Sequence, residues 1–475
     1  MNRDILVYAD WDAVKNRPAL MGTLRTIETR GKEVLSFSYD REWLETAERR
    51  ILDPDLQFFR GDQYLSGERP NFGLFLDSSP DRWGKVLMQR REAAMASSIG
   101  RKPKSLLESD YLLGVHDGQR MGGLRFKLEK DGPFLDNSLE CAAPPSTSLR
   151  ELENASWRVQ DDNADISEVS KWISMLIAPG SSLGGARPKA GVRYPDGDLW
   201  IAKFPGRNDN RDMGAWEWIV WQLGKQSGLD LPPCECLKIG SKHRTFAVWR
   251  FDRVRGSRAK RRLHFASAMT LLGRTDGDNY HEGASYLELC ELILTQGAHP
   301  EKDLLELWKR IVFSMFVSNT DDHLRNHGFL LEAKGWALSP GYDINAEPSG
   351  GKTGLSLNVN EVDNRLEPEL AMEVAQYFRV KEKDALAIIE NTRSVVANWR
   401  TLASEAKIGR AEQELMEPAF NLSHSAPKQS HLVESGRFWI SKSGKRHSSK
   451  CRYYQVGEGW MGSKSQGTPC RVCGS

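Results

Sequence analysis

The stretch Asn319-Thr320-Asp321-Asp322-His323-Leu324-Arg325-Asn326-His327-Gly328 places one carboxylate five residues before a carboxamide. It directly follows residues 311–317, an apolar run that must be buried. The change from apolar to polar residues is abrupt, so the polar side chains are expected at the end of a buried element. A second carboxylate, Asp343, follows two apolar runs that flank residues 333–335 and predict a hairpin. Carboxylate and carboxamide oxygens suit Mg²⁺, and a carboxylate also accepts a hydroxyl proton. The fold is therefore expected to bring Asp321, Asn326 and Asp343 together.

These three residues have the spacing of a protein-kinase catalytic loop. Asp321 and Asn326 keep the Asp-x4-Asn pattern, and Asp343 stands where the metal-binding Asp would follow. The pattern predicts Asp321 as catalytic base, with Asn326 and Asp343 as Mg²⁺ ligands on the phosphates of a nucleotide. The plainer alternative is that Asp and Asn only satisfy their own backbone in turns, which they often do. Residues upstream bear on the choice.

A loop with paired glycines lies well before residues 319–328, which are called the catalytic segment below. Gly184 and Gly185 allow backbone N–H groups to approach a phosphate, and Arg187 and Lys189 add positive charge. The loop matches neither the Walker A pattern nor the kinase Gly-rich loop, and Gly-Gly turns are common. By itself this loop is weak evidence for a phosphate site.

A lysine and a glutamate complete the set of candidate nucleotide-binding residues. Residues 199–204 predict a strand that carries Lys203, the position of the kinase lysine that binds nucleotide phosphates. Such a lysine needs a carboxylate to hold it, and Glu217 in the predicted helix of residues 216–223 is the candidate. In most proteins a strand lysine is only a surface residue.

Composition limits the classes of protein. A chain of 475 residues is expected to form two or more domains. No apolar run is long enough to span a bilayer and the N-terminus predicts a strand, so we expect a cytoplasmic protein without membrane contact. The net charge of +2 gives no argument for nucleic-acid binding by the whole chain. Two basic runs, residues 253–262 and 427–475, are either solvated loops or phosphate contacts.

Residues 72–84 and 121–126 resemble the N-terminal module of HipA, the serine/threonine kinase toxin of bacterial toxin–antitoxin pairs. The ordered series from the glycine loop to Asp343 resembles the rest of that family, and the resemblance covers residues 1–405. It implies ATP and Mg²⁺ as cofactors, with residues 246–253 as the strand between two lobes. There the backbone of the strand, at Trp249 and Phe251, would meet adenine and Asp252 could meet ribose, although relatives often carry Glu at the position of Trp249.

The resemblance also implies regulation and partners. Ser182 aligns with the serine that HipA relatives phosphorylate on themselves, and the adjacent Ser181 is the other candidate acceptor. The expected partners are a protein substrate of translation, such as an aminoacyl-tRNA synthetase, and a HipB-like DNA-binding antitoxin that links the chain to DNA. Two alternatives stay open: a catalytically weak binding protein in a DNA-bound repressor complex, and a kinase for small molecules or lipids. The intact set of Lys203, Asp321, Asn326 and Asp343 favours the protein kinase.

The C-terminus carries a separate pattern. His447-x3-Cys451 and Cys470-x2-Cys473 supply four ligands in two close pairs, which suits a structural tetrahedral Zn²⁺. The alternatives are a disordered basic tail with incidental thiols, or His424 or His431 in place of His447. Basic and aromatic residues between these ligands predict contact with nucleic acid or with a protein.

Together the patterns predict an α+β chain with four parts. Residues 1–143 form a strand-rich HipA N-terminal-like subdomain and residues 149–415 a two-lobed, protein-kinase-like core. Residues 416–435 form a linker, and residues 436–475 a small zinc-knuckle-like element.

Overall fold

A computed structural model describes residues 2–475 except 13, 15–16, 47–49, 68, 139–141, 162–171, 174–175, 177–186, 257–260, 349–353, 425–436, 448–458, 464–467 and 470–475. The chain divides into two units, Met1–Ser423 and His424–Ser475. The division falls inside the predicted linker. In the described residues no helix has the length and apolar character needed to cross a bilayer.

The N-terminal part is built on an antiparallel five-stranded sheet. Its strands are β1 (Arg3–Ala9), β2 (Ala19–Thr29), β3 (Lys32–Tyr39), β4 (Gln63–Tyr64) and β5 (Leu124–Lys127), in the order β4-β3-β2-β1-β5. Ile5, Val7 and Ala9 are fully buried and alternate with more exposed residues, as expected for a sheet with one face on a core. The strand predicted at residues 34–39 is confirmed as part of β3.

Four helices follow or interrupt the strands of this sheet. They are α1 (Arg41–Thr46), α2 (Gly73–Leu76), α3 (Arg82–Ser98) and α4 (Glu108–Leu113). Helices α1, α2 and α4 share its hydrophobic core, whereas Trp83 and Leu87 of α3 pack in the cluster of the next sheet. Helix α3 begins directly after the Ser/Pro/Asp cluster of residues 78–81, where the side chain of Asp81 caps the helix by accepting a hydrogen bond of 2.8 Å from Gly84 N. Helix α5 (Leu149–Val159) then leads into the next sheet.

A second, four-stranded sheet carries Lys203, the lysine predicted to bind nucleotide phosphates. Its strands are β6 (Lys189–Arg193), β7 (Leu199–Lys203), β8 (Cys234–Leu237) and β9 (Thr245–Trp249), in the order β6-β7-β9-β8. Helix α6 (Met213–Gln226) connects β7 to β8. Lys203 ends β7 and pairs in register with Lys189. This sheet and α6 place the lysine and the glutamate predicted to hold it on adjoining elements.

The remaining part of the first unit is largely helical. Its three-stranded sheet is β10 (His264–Ser267), β11 (Gly328–Glu332) and β12 (Gly335–Leu338), and the predicted hairpin is confirmed as β11 and β12. The helices are α7 (Ala268–Leu271), α8 (Tyr286–Gln296), α9 (Pro300–Phe316), α10 (Pro368–Val374), α11 (Glu382–Ala397), α12 (Trp399–Glu405), α13 (Arg410–Met416) and α14 (Asn421–His424). Single 3₁₀ turns occur at Asp117–Gln119, Ser146–Ser148, Tyr280–Glu282, Leu324–Asn326 and Glu417–Phe420.

One hydrophobic core joins the N-terminal part to the helical part. The same cluster of buried side chains contains Ile5 and Phe37 of the first sheet, Trp308 and Phe316 of α9, and Phe420 near the end of the unit. A protein whose apolar faces meet in one core folds as one cooperative body. The N-terminal subdomain is therefore part of the structural unit that carries the catalytic segment.

The second unit contains four short strands. They are β13 (Arg437–Ser441), β14 (Lys445–His447), β15 (Gly459–Ser463) and β16 (Thr468–Pro469), in the order β15-β13-β14-β16. His447 is buried and faces Trp439 in the register of β13 and β14. Cys451, Cys470 and Cys473 lie outside the described residues. Within the described ranges no group of three or more His, Cys, Asp or Glu is arranged to hold a metal ion, and the zinc site stays a prediction.

Candidate active site

The centre of the candidate site is a buried lysine with two carboxylates. Lys203 Nζ lies 2.5 Å from Glu217 Oε1 and 2.7 Å from Asp343 Oδ1. The side chains of Lys203 and Glu217 are buried, and that of Asp343 is largely buried. Burial opposes a charge on Lys203, but Asp343 and Glu217 outweigh burial and raise the pKa of its ammonium group. Lys203 also lowers the pKa of Asp343 against the effect of burial. The site therefore holds a fixed positive charge beside an ionised carboxylate.

Asp343 has an unusual backbone conformation. Its φ is +56°, in the left-handed region that costs most residues energy but that Asp tolerates better than bulky residues. Asn345 Nδ2 donates to Asp343 Oδ1 at 3.3 Å, and Asn345 N donates to Asn319 Oδ1 at 3.3 Å. Asn319 begins the catalytic segment, so these bonds tie the segment of Asp343 to it. The geometry aims the Asp343 carboxylate at Lys203.

The catalytic segment presents Asp321 and Asn326 differently. The residue Asp321 is exposed in a turn, and its backbone oxygen accepts a 2.9 Å hydrogen bond from Asn326 Nδ2. That bond orients the carboxamide and leaves Asn326 Oδ1 buried without a hydrogen-bond partner in the described part of the chain. A buried carbonyl oxygen without a partner is costly unless a ligand binds it. Asn326 thus fits a Mg²⁺ ligand, as does the ionised carboxylate of Asp343.

A buried network supports the catalytic segment from below. Asp322 accepts a 2.6 Å hydrogen bond from the Tyr286 hydroxyl of α8, and His327 Nε2 lies 3.1 Å from Asp322 Oδ1. The ring of His327 packs edge-on against Tyr286, with 5.7 Å between ring centroids. His327 thus fills the space beside Tyr286 and Asp322. Asp321 faces outward because its neighbour Asp322 is anchored inward.

An apolar cleft opens beside the three charged residues. Lys203, Glu217 and Asp343 supply its polar end, and the rest of its wall is mainly apolar and comes from β7, α6, β9 and the segments after them: Ile201, Val220, Trp221, Leu231, Pro232, Phe246, Val248, Trp249, Phe251, Gly341, Tyr342 and Ile344. A mainly apolar wall with a few convergent polar groups is typical of small-molecule sites. Trp249 and Phe251, predicted at the adenine, both line this cleft. An aromatic base at one end and phosphates at Lys203 fit its chemistry.

Asp252, predicted to contact ribose, is not among the residues that line the cleft. Asp252 is fully buried, and its carboxylate accepts hydrogen bonds from Arg250 Nε at 2.9 Å, Arg250 Nη2 at 2.7 Å and Gly122 N at 2.9 Å, besides one from Arg253. Burial alone would raise the pKa of Asp252, but Arg250 and Arg253 outweigh it and lower the pKa to about 2. These bonds connect the core to the N-terminal subdomain. Asp252 is thus a structural anchor, and its contact with ribose stays a prediction.

The two cations of the glycine loop are paired with carboxylates. Lys189 Nζ is buried and donates to Asp81 Oδ2 at 2.7 Å, and Arg187 Nη2 donates to Asp209 Oδ2 at 2.8 Å. Their predicted contact with phosphate stays a prediction. Gly184, Gly185, Ser181 and Ser182 lie outside the described residues.

Three contributors to the site were missing from the sequence predictions: Asp322, Asp81 and Asn319. The doubled Asp of the catalytic segment is a signal for Asp322, because one of two adjacent carboxylates in a turn is free to point inward. Asp81 was recognised only as a helix cap, and nothing local indicates its bond to Lys189, 108 positions away. Asn319 gives no signal that distinguishes it from an ordinary turn residue.

Comparison with known proteins agrees with this geometry. A profile of the HipA-like C-terminal domain matches residues 181–399. A putative kinase, Y4mE, of Sinorhizobium fredii is 28% identical over 246 residues, which cover 48% of this chain and 51% of that protein. A putative kinase of Haemophilus influenzae is 26% identical over 181 residues, covering 35% of this chain and 52% of that protein. The chain thus spans about half the length of the curated relatives it matches.

A solved structure shows the same fold. HipA of Shewanella oneidensis, determined in complex with HipB and operator DNA, superposes with a TM-score of 0.59 at 14% identity. The match covers 88% of this chain and 95% of that chain. The predicted mixture of α and β structure with a HipA-like fold is therefore confirmed. The profile match and the shared fold make the chain similar to HipA proteins, over residues 181–399 in sequence and over most of the chain in fold.

Proposed function

We propose that the protein is an ATP- and Mg²⁺-dependent serine/threonine protein kinase. The observation that carries the proposal is the lysine with two carboxylates, Lys203, Glu217 and Asp343, at the polar end of an apolar cleft. A site with a charged lysine held by one carboxylate and facing a second is what phosphoryl transfer requires, because catalysis there is mostly positioning and charge stabilisation. The putative-kinase relatives support the same class of reaction.

Each residue has a role in this proposal. Asp321, exposed on the catalytic segment, accepts the proton of the substrate hydroxyl. Lys203 would contact the nucleotide phosphates, and Glu217 holds its ammonium group in place. Asn326 Oδ1 and Asp343 would hold Mg²⁺, which would neutralise charge on the phosphates. Trp249 and Phe251 surround the adenine.

Phosphate transfer by the Asp321→Asn variant tests the assignment. The carboxamide keeps the size of the side chain but no longer accepts a proton, so transfer from radiolabelled ATP to protein is expected to fall at least about 100-fold. Binding of Mg²⁺-ATP, measured by calorimetry, should be unchanged because Asp321 is not among the proposed nucleotide or metal contacts. A variant that transfers phosphate at the wild-type rate would remove Asp321 from this role.

We further propose that the kinase acts as the toxin of a HipA-type toxin–antitoxin system. The proposed partners are a HipB-like DNA-binding antitoxin, through which the chain reaches operator DNA, and a translation protein such as an aminoacyl-tRNA synthetase as substrate. The complex of the Shewanella oneidensis relative with HipB and DNA supports the first partner. Expression of the wild-type chain, but not of Asp321→Asn, should arrest growth. Equal arrest by both would contradict a toxin that works by phosphorylation.

Autophosphorylation is proposed at Ser182 or Ser181 in the glycine loop. A phosphate adds about −1.5 to −2 charges to a loop that is meant to receive phosphates, and should therefore silence the kinase. Mass spectrometry after incubation with ATP is expected to find phosphate on one of these serines in the wild type only. Equal phosphate in Asp321→Asn would show that another enzyme adds it.

The C-terminal unit is proposed to bind one structural Zn²⁺ through His447, Cys451, Cys470 and Cys473. Four protein ligands leave no open position for chemistry, so the metal would stabilise the fold of the tail and leave catalysis to the first unit. The folded tail would offer basic and aromatic side chains to nucleic acid or to a protein. Metal analysis should find one zinc per chain, lost in the Cys470→Ser/Cys473→Ser double variant.

A further inference from the structure

Helix α6, which carries Glu217, is held at its first turn by residues from the far end of the same unit. Glu412 of α13 accepts hydrogen bonds on one oxygen, Oε1, from Asp212 N at 2.7 Å and from the indole Nε1 of Trp216 at 2.8 Å. Asp212 is the N-cap of α6, and Trp216 immediately precedes Glu217. Glu412 therefore fixes both the start of the helix and the residue beside the glutamate that binds Lys203.

Two further contacts fasten the same turn. Asp212 Oδ2 accepts a 2.6 Å bond from Arg244 Nη1, and Arg244 Nη2 donates to the backbone oxygen of Ala406, which follows α12. Gly214 lies so close to strand β9 that a Cβ added there would be 2.2 Å from Arg244 O. A side chain is thus excluded, and the first turn of α6 is pressed directly against the backbone before β9.

An aromatic cluster completes the contact. The ring of Trp216 lies 6.0 Å from that of Trp399 and 6.2 Å from that of Phe420, and the rings of Trp399 and Phe420 are stacked at 4.7 Å. All three side chains are almost fully buried. Buried aromatic pairs add directional contacts to the area they bury, so Trp216 has one defined position.

These contacts come largely from outside the matched family domain. The profile ends at residue 399, whereas Ala406, Glu412 and Phe420 follow it, and the structural unit continues to Ser423. We propose that Glu412 is a positioning residue for the Lys203–Glu217 ion pair, and that residues 400–420 are a required part of the catalytic unit. The inference rests on the proposed kinase function. It adds the contact of Glu412 with the first turn of α6, which sets the position of Glu217.

The test uses three full-length variants. Glu412→Ala removes the acceptor of both bonds, whereas Glu412→Gln keeps an Oε1 that accepts them. The matched control is Glu414→Ala on the same helix, whose partner Arg410 is 91% exposed and 2.9 Å away. An exposed pair of this kind contributes little to stability.

Amide hydrogen exchange of α6 decides the inference without any need for enzymatic activity. In Glu412→Ala, exchange between Trp216 and Leu223 should be at least about 10-fold faster than in the wild type, since two bonds to a carboxylate are lost. Glu412→Gln and Glu414→Ala should exchange like the wild type. Equal exchange in Glu412→Ala and Glu414→Ala would overturn the proposal.

Transfer kinetics separate positioning from general destabilisation. Glu412→Ala should lower kcat/KM for ATP about 10-fold, with near-complete recovery in Glu412→Gln. In a Glu217→Gln background the additional loss from Glu412→Ala should disappear, because the effect acts through Glu217. The same loss in both backgrounds would mean a merely structural role and would overturn the proposal. If the wild type transfers no phosphate, the kinase function fails while hydrogen exchange still decides whether Glu412 holds α6.

Discussion

At the scale of single residues, two buried carboxylates differ in the number of hydrogen bonds that they accept. Asp343 and Asp252 are both ionised carboxylates beside buried cations. Asp343 accepts one hydrogen bond from Lys203 Nζ at 2.7 Å and one from Asn345 Nδ2 at 3.3 Å. Asp252 is enclosed by two arginines and a backbone N–H, so it is fixed. Asp252 therefore has the larger set of donors, which suits an anchor, whereas Asp343 keeps acceptor capacity for the proposed metal.

Removal of the charge of Asp252 is expected to destabilise the protein strongly. Asp252→Asn leaves Arg250 and Arg253 buried without a counter-charge, which should lower the free energy of unfolding by about 3–5 kcal/mol in chemical denaturation. The control Asp363→Asn removes a carboxylate from an exposed pair with Arg365 and should cost less than about 1 kcal/mol. Equal losses for the two variants would mean that Asp252 is no anchor.

The same carboxylate predicts an acid-dependent loss of stability. The pKa of Asp252 is lowered from 3.8 to about 2 in the folded protein, so the unfolded chain takes up its proton first as the pH falls. Its contribution is therefore complete above pH 4 and is lost as the pH falls toward 2. The difference in unfolding free energy between the wild type and Asp252→Asn should shrink over that range. A difference that is constant with pH would contradict the assigned pKa.

At the scale of elements, the catalytic segment depends on a helix that contributes no catalytic group. Helix α8 presents Tyr286 to Asp322, and this bond anchors the segment from which Asp321 projects. Helix α6 is fixed in a comparable way by α12 and α13. In both cases an element distant in sequence sets the position of a site residue through a buried polar contact, and such contacts need their full set of partners to be stabilising.

Loss of the Tyr286 hydroxyl is expected to affect both stability and transfer. Tyr286→Phe leaves Asp322 buried with one hydrogen-bond donor fewer, which should cost about 1–3 kcal/mol in unfolding free energy. Phosphate transfer should fall as well, since Asp321 loses its support, while the affinity for Mg²⁺-ATP in calorimetry changes less. Tyr377→Phe at an exposed position serves as the control and should behave like the wild type. Unchanged transfer in a destabilised Tyr286→Phe would separate the network from catalysis.

At the scale of the whole molecule, the N-terminal subdomain and the kinase-like core cannot be separated. Their apolar side chains share one cluster, and Asp81–Lys189 and Asp252 connect them through buried polar bonds. The C-terminal unit, in contrast, begins at His424 as a separate body. The sequence resemblance divides residues 1–143 from residues 149–415, whereas the structure joins both parts in one unit that ends at Ser423.

Two truncations are expected to give opposite results. A chain of residues 1–430 keeps the complete core and should unfold cooperatively and transfer phosphate to an artificial substrate. A chain of residues 149–475 exposes the apolar surface that the first sheet covers and should aggregate or lack a cooperative thermal transition. Circular dichroism during heating and gel filtration measure both outcomes. Cooperative unfolding of residues 149–475 would refute the single shared core.

The sequence alone indicated the class of fold and the order of the residues that carry chemistry. Local patterns predicted β7, α6 and the β11–β12 hairpin, because residues 199–204, 216–223 and the apolar runs around residues 333–335 have strong periodicity. The spacing of Asp321, Asn326 and Asp343 predicted one site because ligand chemistry limits which residues serve there. The structure brings Lys203 to Glu217 and Asp343, while the roles of these residues remain predictions.

Only the tertiary structure decided which charged side chains pair with one another in the folded protein. Asp252 and Lys189 were both predicted at the nucleotide, and the structure bonds Asp252 to Arg250 and Arg253, and Lys189 to Asp81. Glu412 has no local feature that distinguishes it from Glu414, yet it holds the first turn of α6 across 200 positions. A charged side chain has the same intrinsic chemistry wherever it lies in the chain. Its role depends on desolvation and on the partners that folding brings to it, and both arise from contacts between residues far apart in sequence.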